Sequence, residues 1–425
     1  MWIKIEPLDV LLFRESKPFS AGENFRAAGR FPPSPLPLVG ALRSRALAHL
    51  NVDLQAYGRC ARECGPFDAF SRVGTPNSLA PLEAMGPFLV TDNQGVCLPW
   101  PKDLLREGED GRAKSSNVVF LKPKAAGISW PVESFGKDTP LQNLTAAIVA
   151  AGMEAPAGGF MKGEHFFMTY LTEGVGDSSP PIEYVSQSDV AVSEARMGIT
   201  LSNGRTAEEG RIYSVAFTRM QEKASFYLQL RDTQEEGCEK DLLPENGFLS
   251  LGGEARAAYF NVLNEDDDEN LPEFLRREVM DALKDELIEN LAGRRRFKLY
   301  LLTPAIFCQG WLPDGVDGSF FTWQAASGVT AKLVASAVGK PDDVGGWDLV
   351  NNAPRPLYRA APAGSVYFFE AEEDFTQESA AALLQQLHFQ SIMRPQANSD
   401  SFPRFCRDAG FGLAAVGVWD YKKED

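Results

Sequence analysis

Arg14, Lys17, Arg26 and Arg30 stand on a Pro/Gly-rich loop near the start of the chain, and Arg43 and Arg45 follow on the next segment. Guanidinium forks and ammonium groups bind phosphate through charge-assisted hydrogen bonds, so the series suits a polyanion. A second group lies near the other end, where Arg404 and Arg407 precede Gly410-Phe411-Gly412-Leu413-Ala414-Ala415-Val416-Gly417. Gly410, Gly412 and Gly417 could let backbone N–H groups approach phosphate oxygens closely. The competing reading is a glycine-rich turn into an edge strand. The string also fits Gly-x-Gly-x-x-Ala, but no helix and βαβ unit follow it, so a dinucleotide site is not implied. A third group, Arg196, Arg205 and Arg211, lies on what reads as two strands joined by a long polar loop. Such a hairpin could cross a nucleic-acid strand like a thumb.

Enzyme signatures are weak. The chain holds no Walker A sequence, no His-Glu-x-x-His, no Gly-x-Ser-x-Gly and no Cys-x-x-Cys. Of its three histidines, His49 ends the first helix beside the basic stretch, where it could act as acid or base on RNA; the plainer reading is a helix C-terminal cap. Cys60 and Cys64 with His49 have loose spacing for zinc and no evident fourth ligand. No catalytic residue, metal or cofactor is assigned.

The elements that must position these groups are readable from periodicity and turn chemistry. Trp2 to Glu6 reads as a strand. Pro32, Pro33 and Pro35 fix an extended approach to a helix from Leu38 to Leu50, with Pro37 in its first turn. That helix offers Leu38, Leu42 and Leu47 to a core, and Gly40 would allow close approach of a neighbour. Pro87 to Val90 and Val96 to Leu98 form a hairpin signal. A helix is expected over Leu141 to Ala151 from the cap pair Thr139 and Pro140, and a strand over Glu164 to Tyr170. The charged insertion around 100–137 is expected to project as a loop.

The second half repeats this order. Strands are expected at Val190 to Ile199, Arg211 to Arg219, Ser225 to Leu230, Ala257 to Leu263, Phe297 to Leu302, Ala331 to Val338, Ser365 to Glu370 and Leu413 to Trp419. Leu275, Val279, Leu283 and Leu287 mark an amphipathic helix from Pro272 to Leu291. A helix from Thr376 to His388 would start at a capping box of Asp374 with Gln377. The fold class is thus α+β, with two tandem ferredoxin-like domains carrying long loop insertions: residues 1–189, and residues 190–425 with the thumb-like hairpin and the glycine-rich loop.

At 425 residues two domains are the default, and a formal net charge of -16 argues against a freestanding nucleic-acid binder. The charge is segregated. Between Asn261 and Asn290 eleven acidic residues face three basic ones, a net of -8, whereas Met1 to Leu50 carries seven basic and four acidic residues, a net of +3. A basic face on an acidic molecule is therefore possible. No apolar run reaches a membrane span, and Met1-Trp2-Ile3-Lys4-Ile5 reads as a strand rather than a signal peptide. With six scattered cysteines, the expectation is a cytoplasmic protein with reduced thiols.

Six stretches in order carry a resemblance. They are Asp9 to Phe13 with Arg14, Pro18-Phe19, Gly22, Phe31-Pro32-Pro33-Ser34-Pro35 and Gly40-Ala41-Leu42-Arg43; Gly204 to Tyr213; Leu251 to Arg256; Pro304-Ala305-Ile306-Phe307 with Gly310 to Pro313; Pro362 to Phe369; and Gly410 to Gly417. Together they resemble the third subunit of type III-B (Cmr) CRISPR effector complexes, in the RAMP superfamily. Gln55 to Glu183 matches least. The resemblance implies two RRM-like domains and no nuclease activity. It also implies a place at the 5′ handle of the CRISPR RNA, beside the large polymerase-like subunit and a backbone RAMP subunit. Handle phosphates would then meet the N-terminal basic residues. The alternatives are a repeat-cleaving endoribonuclease using His49, and a purely architectural subunit docking through the acidic segment Glu265 to Glu289.

Overall fold

The computed structural model describes the chain except residues 15–25, 28, 61–71, 108–117, 124–143, 147–152, 155, 157, 173–181, 202–206, 234–240, 264–268, 349–352, 397–400 and 422–425. Two large antiparallel sheets dominate it, and helices are few. The first sheet has eight strands in the spatial order Tyr184–Val185, Phe160–Lys162, Gly95–Pro99, Leu82–Thr91, Ser225–Asp232, Trp2–Pro7, Arg256–Leu263 and Asn246–Leu251. The second has six: Thr322–Ala326, Val329–Ala337, Val366–Ala371, Arg296–Leu301, Leu413–Val418 and Gln390–Ser391. Strands on both sides of residue 190 pair in the first sheet, so a boundary at 189/190 cuts through it; the chain passes to the second sheet only after Leu263.

Four strands of each sheet share one arrangement. In the first, Trp2–Pro7 lies between Ser225–Asp232 and Arg256–Leu263, with Leu82–Thr91 next. In the second, Arg296–Leu301 lies between Val366–Ala371 and Leu413–Val418, with Val329–Ala337 next. Counted in chain order, both run second, third, first, fourth. The helix Pro35–His49 joins the first and second of these strands in one sheet, and Gln377–Leu387 lies between the third and fourth in the other.

The Pro35–His49 helix starts three residues earlier than the periodicity suggests, because Ser34 is extended and both Pro35 and Pro37 fit its first turn. It lays Leu38, Leu42 and Leu47 against Ile3, Ile5, Phe226, Leu228 and Phe260 of the first sheet. Each such burial is worth about 2 kcal/mol before ordering costs. Among the described residues nothing lies within 4 Å of a Cβ placed on Gly40, so none of them accounts for a glycine there. On the other side of this sheet, Trp2, Met85 and Phe88 enter a core with Phe297, Tyr300, Phe389 and Trp419. The two sheets therefore share one interior. Lys298 sits fully buried in it, its Nζ 3.8 Å over the Tyr170 ring and 3.9 Å from Asp103.

Several local expectations change. Glu164 to Tyr170 is helical, with a short α-turn at Gly163–His165 running into a π-helix at Phe166–Tyr170. Phe166, Phe167 and Tyr170 share the buried side while Met168 is exposed, a helical spacing that a strand could not satisfy. Leu144–Ala146 is a strand, and the rest of the helix expected over Leu141 to Ala151 lies outside the described residues or, at Met153–Glu154 beyond it, is again strand. These pieces build a small four-stranded sheet with Leu104–Glu107 and Val118–Pro123, so the insertion carries its own sheet. The Gln377–Leu387 helix is capped by Thr376 with Ser379, not by Asp374 with Gln377.

Candidate nucleic-acid interface

The Pro35–His49 helix meets the short helix Ser401–Asp408 through Arg43 and Phe405. Arg43 spans the gap. Its Nη2 donates to the Tyr57 hydroxyl and to the Thr75 carbonyl, and Tyr57 in turn donates to Gly74 O at 2.6 Å. The guanidinium lies 5.4 Å from the Tyr57 ring and 5.5 Å from the Phe405 ring. Burial and the nearby Arg355 lower its proton affinity, opposed by Tyr57. Arg355 stacks 5.3 Å from Phe402, which also packs against Tyr358.

Arg404, Arg407 and Arg394 extend this group. Arg407 donates from Nε and Nη2 to one oxygen of Asp408, at 2.8 and 2.6 Å. Burial pushes the Asp408 carboxyl up, with Arg407 and Arg404 opposing. Arg394 feels the positive field of Arg407 and hydrogen-bonds the Ser391 and Met393 carbonyls. Five arginines and four aromatic rings thus gather at one junction. The Nε atoms of Arg43 and Arg404 are both buried there without a hydrogen-bond acceptor among the described residues. A buried donor left unmatched costs about 1–3 kcal/mol; the Nε atoms of Arg106 and Arg256, away from the junction, are in the same position among the described residues. Guanidiniums of this kind can bind phosphate, and an accessible ring beside one can stack a base; of the rings here Tyr57 and Phe402 are buried, and Phe405 and Tyr358 are half-buried.

A family model for a CRISPR-associated protein, Cmr3, matches residues 3–419. The chain belongs to the Cmr3 family. No curated protein matches it. Among solved structures, it is similar to a chain of a type III-B Cmr-beta complex bound to cognate target RNA, at 14% identity and a TM-score of 0.47, covering 97% of this chain and 96% of that one. A second such chain, from the complex with target RNA and AMPPnP, gives 15% identity, a TM-score of 0.43 and coverage of 87% and 86%. A chain of a Csm3-Csm4 subcomplex from a type III-A complex gives 12% identity, 0.32, and 88% and 93%.

In this member of the Cmr3 family the residues singled out from sequence separate into three places. Arg43, Arg404 and Arg407 meet at the junction, with Arg45 two positions along the same helix. Arg355 and Arg394, equally part of it, carry no local signal; the Phe402 and Phe405 spacing around Arg404 was the one hint. Arg30 instead binds Asp342 at 2.6 Å and the Asp343 carbonyl at 3.3 Å. Arg14 is exposed and bridges to Gly29. Arg26 and Arg211 lie on strands, their side chains outside the described residues, as are Lys17 and Arg205 altogether.

The hairpin forms as Ala191–Leu201 against Ala207–Met220. At its base Arg196 and Arg219 both bind Glu194, at 2.8 and 2.6 Å, and with Arg256 they surround Asp9 at 3.7 to 4.0 Å. Arg196 and Arg256 also flank the Phe217 ring. The glycine loop is buried, against the phosphate reading. Gly410 N–H donates to Arg407 O and Gly412 N–H to Pro304 O. A Cβ on Gly410, whose φ is +99°, would sit 2.7 Å from Gly86 O, and one on Gly417 2.9 Å from Leu171 O. Gly410 lets the second sheet approach the first and Gly417 lets it approach the chain at Leu171, and the N–H groups of Gly410 and Gly412 are already taken. His49 is the exposed last residue of its helix.

Proposed function

We propose that this chain is the non-catalytic subunit that holds the 5′ handle of the CRISPR RNA in a type III-B effector complex. In that complex it docks the large polymerase-like subunit and abuts a backbone RAMP subunit. It works in the cytoplasm and needs no cofactor. Each sheet, with its shared strand order and a helix between two of its strands, is a ferredoxin-like unit of the RAMP type, and the handle lies along the junction between them. The observation that carries this reading is the gathering of Arg43, Arg355, Arg394, Arg404 and Arg407 at one junction, with Arg43 beside Phe405 and Arg355 beside Phe402. An acidic chain can do this because its charge is segregated, and because partners in an assembly share the work of attracting RNA.

The test is binding of labelled guide RNA, with and without its 5′ handle, to the chain co-purified with its large-subunit partner, across a salt titration. Preference for the handle, a steep fall with salt, and about tenfold weakening by Arg404→Ala are the expected results. Binding indifferent to handle, salt and Arg404 would remove the RNA role and leave a scaffold.

A further inference from the structure

The outermost strand of the first sheet, Asn246–Leu251, has no neighbour on its outer side among the described residues. Its sequence, Asn-Gly-Phe-Leu-Ser-Leu, holds no charge and no proline. Such an edge is a template for another strand, and proteins that must stay alone guard it with lysine, proline or a bulge. The opposite edge of the same sheet is blunted to two residues, Tyr184–Val185. Phe248 adds a second observation. It is 65% exposed, yet held in place by an edge-on ring contact with its cross-strand partner Tyr259 at 5.5 Å.

The pairing register says which groups are offered. Val262 N–H donates to Glu245 O at 2.7 Å, so by antiparallel alternation Gly247, Leu249 and Leu251 turn their N–H and C=O groups inward. Asn246, Phe248 and Ser250 turn theirs outward. Only an extended backbone matches that ladder, which RNA does not provide.

We infer that this edge is a docking site for an extended segment of a different, basic protein, which adds a ninth strand and lays an apolar side chain on Phe248. Charge selects this occupant. A second copy would bring another net charge of -16 to an edge whose start is flanked by the exposed Asp241 and Glu245; against the strand itself Arg45 brings a cation, 3.8 Å from the Cβ position of Gly247. A basic segment meets those carboxylates instead. Nothing in this inference depends on the RNA reading.

Amide hydrogen exchange of the chain alone, compared with the intact effector complex purified through a tag on this chain, tests it. The amides of Asn246, Phe248 and Ser250 should slow at least about tenfold in the complex, while Gly247, Leu249 and Leu251 are protected in both. Ser250→Pro removes only an outward N–H, a change that edge strands tolerate. The variant should keep the wild-type melting temperature and lose its partner during purification. Unchanged exchange, or a Ser250→Pro chain that assembles as wild type, overturns the inference. So does protection already present in the chain alone with dimers in sedimentation, which would assign the edge to a second copy, or protection produced by guide RNA without other proteins.

Discussion

Two clusters of arginine in this molecule have the same ingredients and opposite electrostatics. At the base of the hairpin, Arg196, Arg219 and Arg256 face Asp9, Glu194 and Glu254, and every guanidinium has a carboxylate within 4.0 Å. At the junction of the sheets, Arg43, Arg355, Arg394, Arg404 and Arg407 gather around Asp408, the one carboxylate ion-paired to them among the described residues, while Asp314, which accepts from the Arg394 backbone N–H at 2.7 Å, and Glu83 add their fields at Arg394. The first cluster is balanced in charge, although Arg256 Nε, like those of Arg43 and Arg404, is buried without an acceptor among the described residues. It fixes the hairpin to the sheet through contacts that water and salt weaken. The second is over-positive and partly buried, with Tyr57 and Phe402 packed inside and Phe405 and Tyr358 half-buried among its charges. Arginine content alone therefore says little about RNA; the local carboxylate count decides.

The largest effect expected from breaking this contrast is at Arg43. Arg43→Ala removes charge-assisted hydrogen bonds to Tyr57 and Thr75 and the ring contacts across the junction. It should cost about 3 kcal/mol of stability in chemical denaturation. A variant as stable as wild type would mean that Arg43 is not the tie between the two helices. Next comes the double variant Arg355→Ala with Arg404→Ala, whose side chains serve the junction rather than the core. Handle-RNA affinity should fall on the order of a hundredfold, with a shallower salt dependence and an unchanged melting curve. A loss of affinity with an unaltered salt slope would point to stacking rather than charge.

Much of the positioning framework was legible in the sequence because it is local. The proline run before the Pro35–His49 helix, the hairpin strands and the Leu periodicity of Arg277–Leu291 declare themselves within a few residues. What was not legible depends on distant pairing. Ser225–Asp232 and Arg256–Leu263 return to flank Trp2–Pro7 across more than two hundred residues, so a boundary drawn by local order fell inside a sheet. The need of Gly410 and Gly417 for close approach was readable, but not that the approaching group is backbone, Gly86 O and Leu171 O, rather than phosphate. Arg196 and Arg43 look alike in sequence; only the structure shows that Glu194 has claimed one, while the other meets aromatic rings.

Smaller effects should separate the clusters further. Glu194→Gln frees Arg196 and Arg219 from their shared carboxylate without touching the junction. Handle-RNA affinity should change by less than about threefold, because surface pairs contribute little. A large gain would show that the hairpin base is a masked RNA site and would undo the contrast.

The mildest and most discriminating change is a matter of pH. Burial raises the Asp408 carboxyl above its usual 3.8, whereas the hydrogen bonds from Arg219 and Arg196 hold Glu194 below its usual 4.5. As pH falls from 7, Asp408 therefore takes up its proton before Glu194 does. Neutral Asp408 leaves Arg407 uncompensated, so affinity for the handle should rise by a few-fold as the medium is acidified. Asp408→Asn should bind a few-fold tighter at pH 7 and lose that pH dependence. If the dependence survives in Asp408→Asn and vanishes in Glu194→Gln, the RNA senses the balanced cluster, and the junction is the wrong place to look.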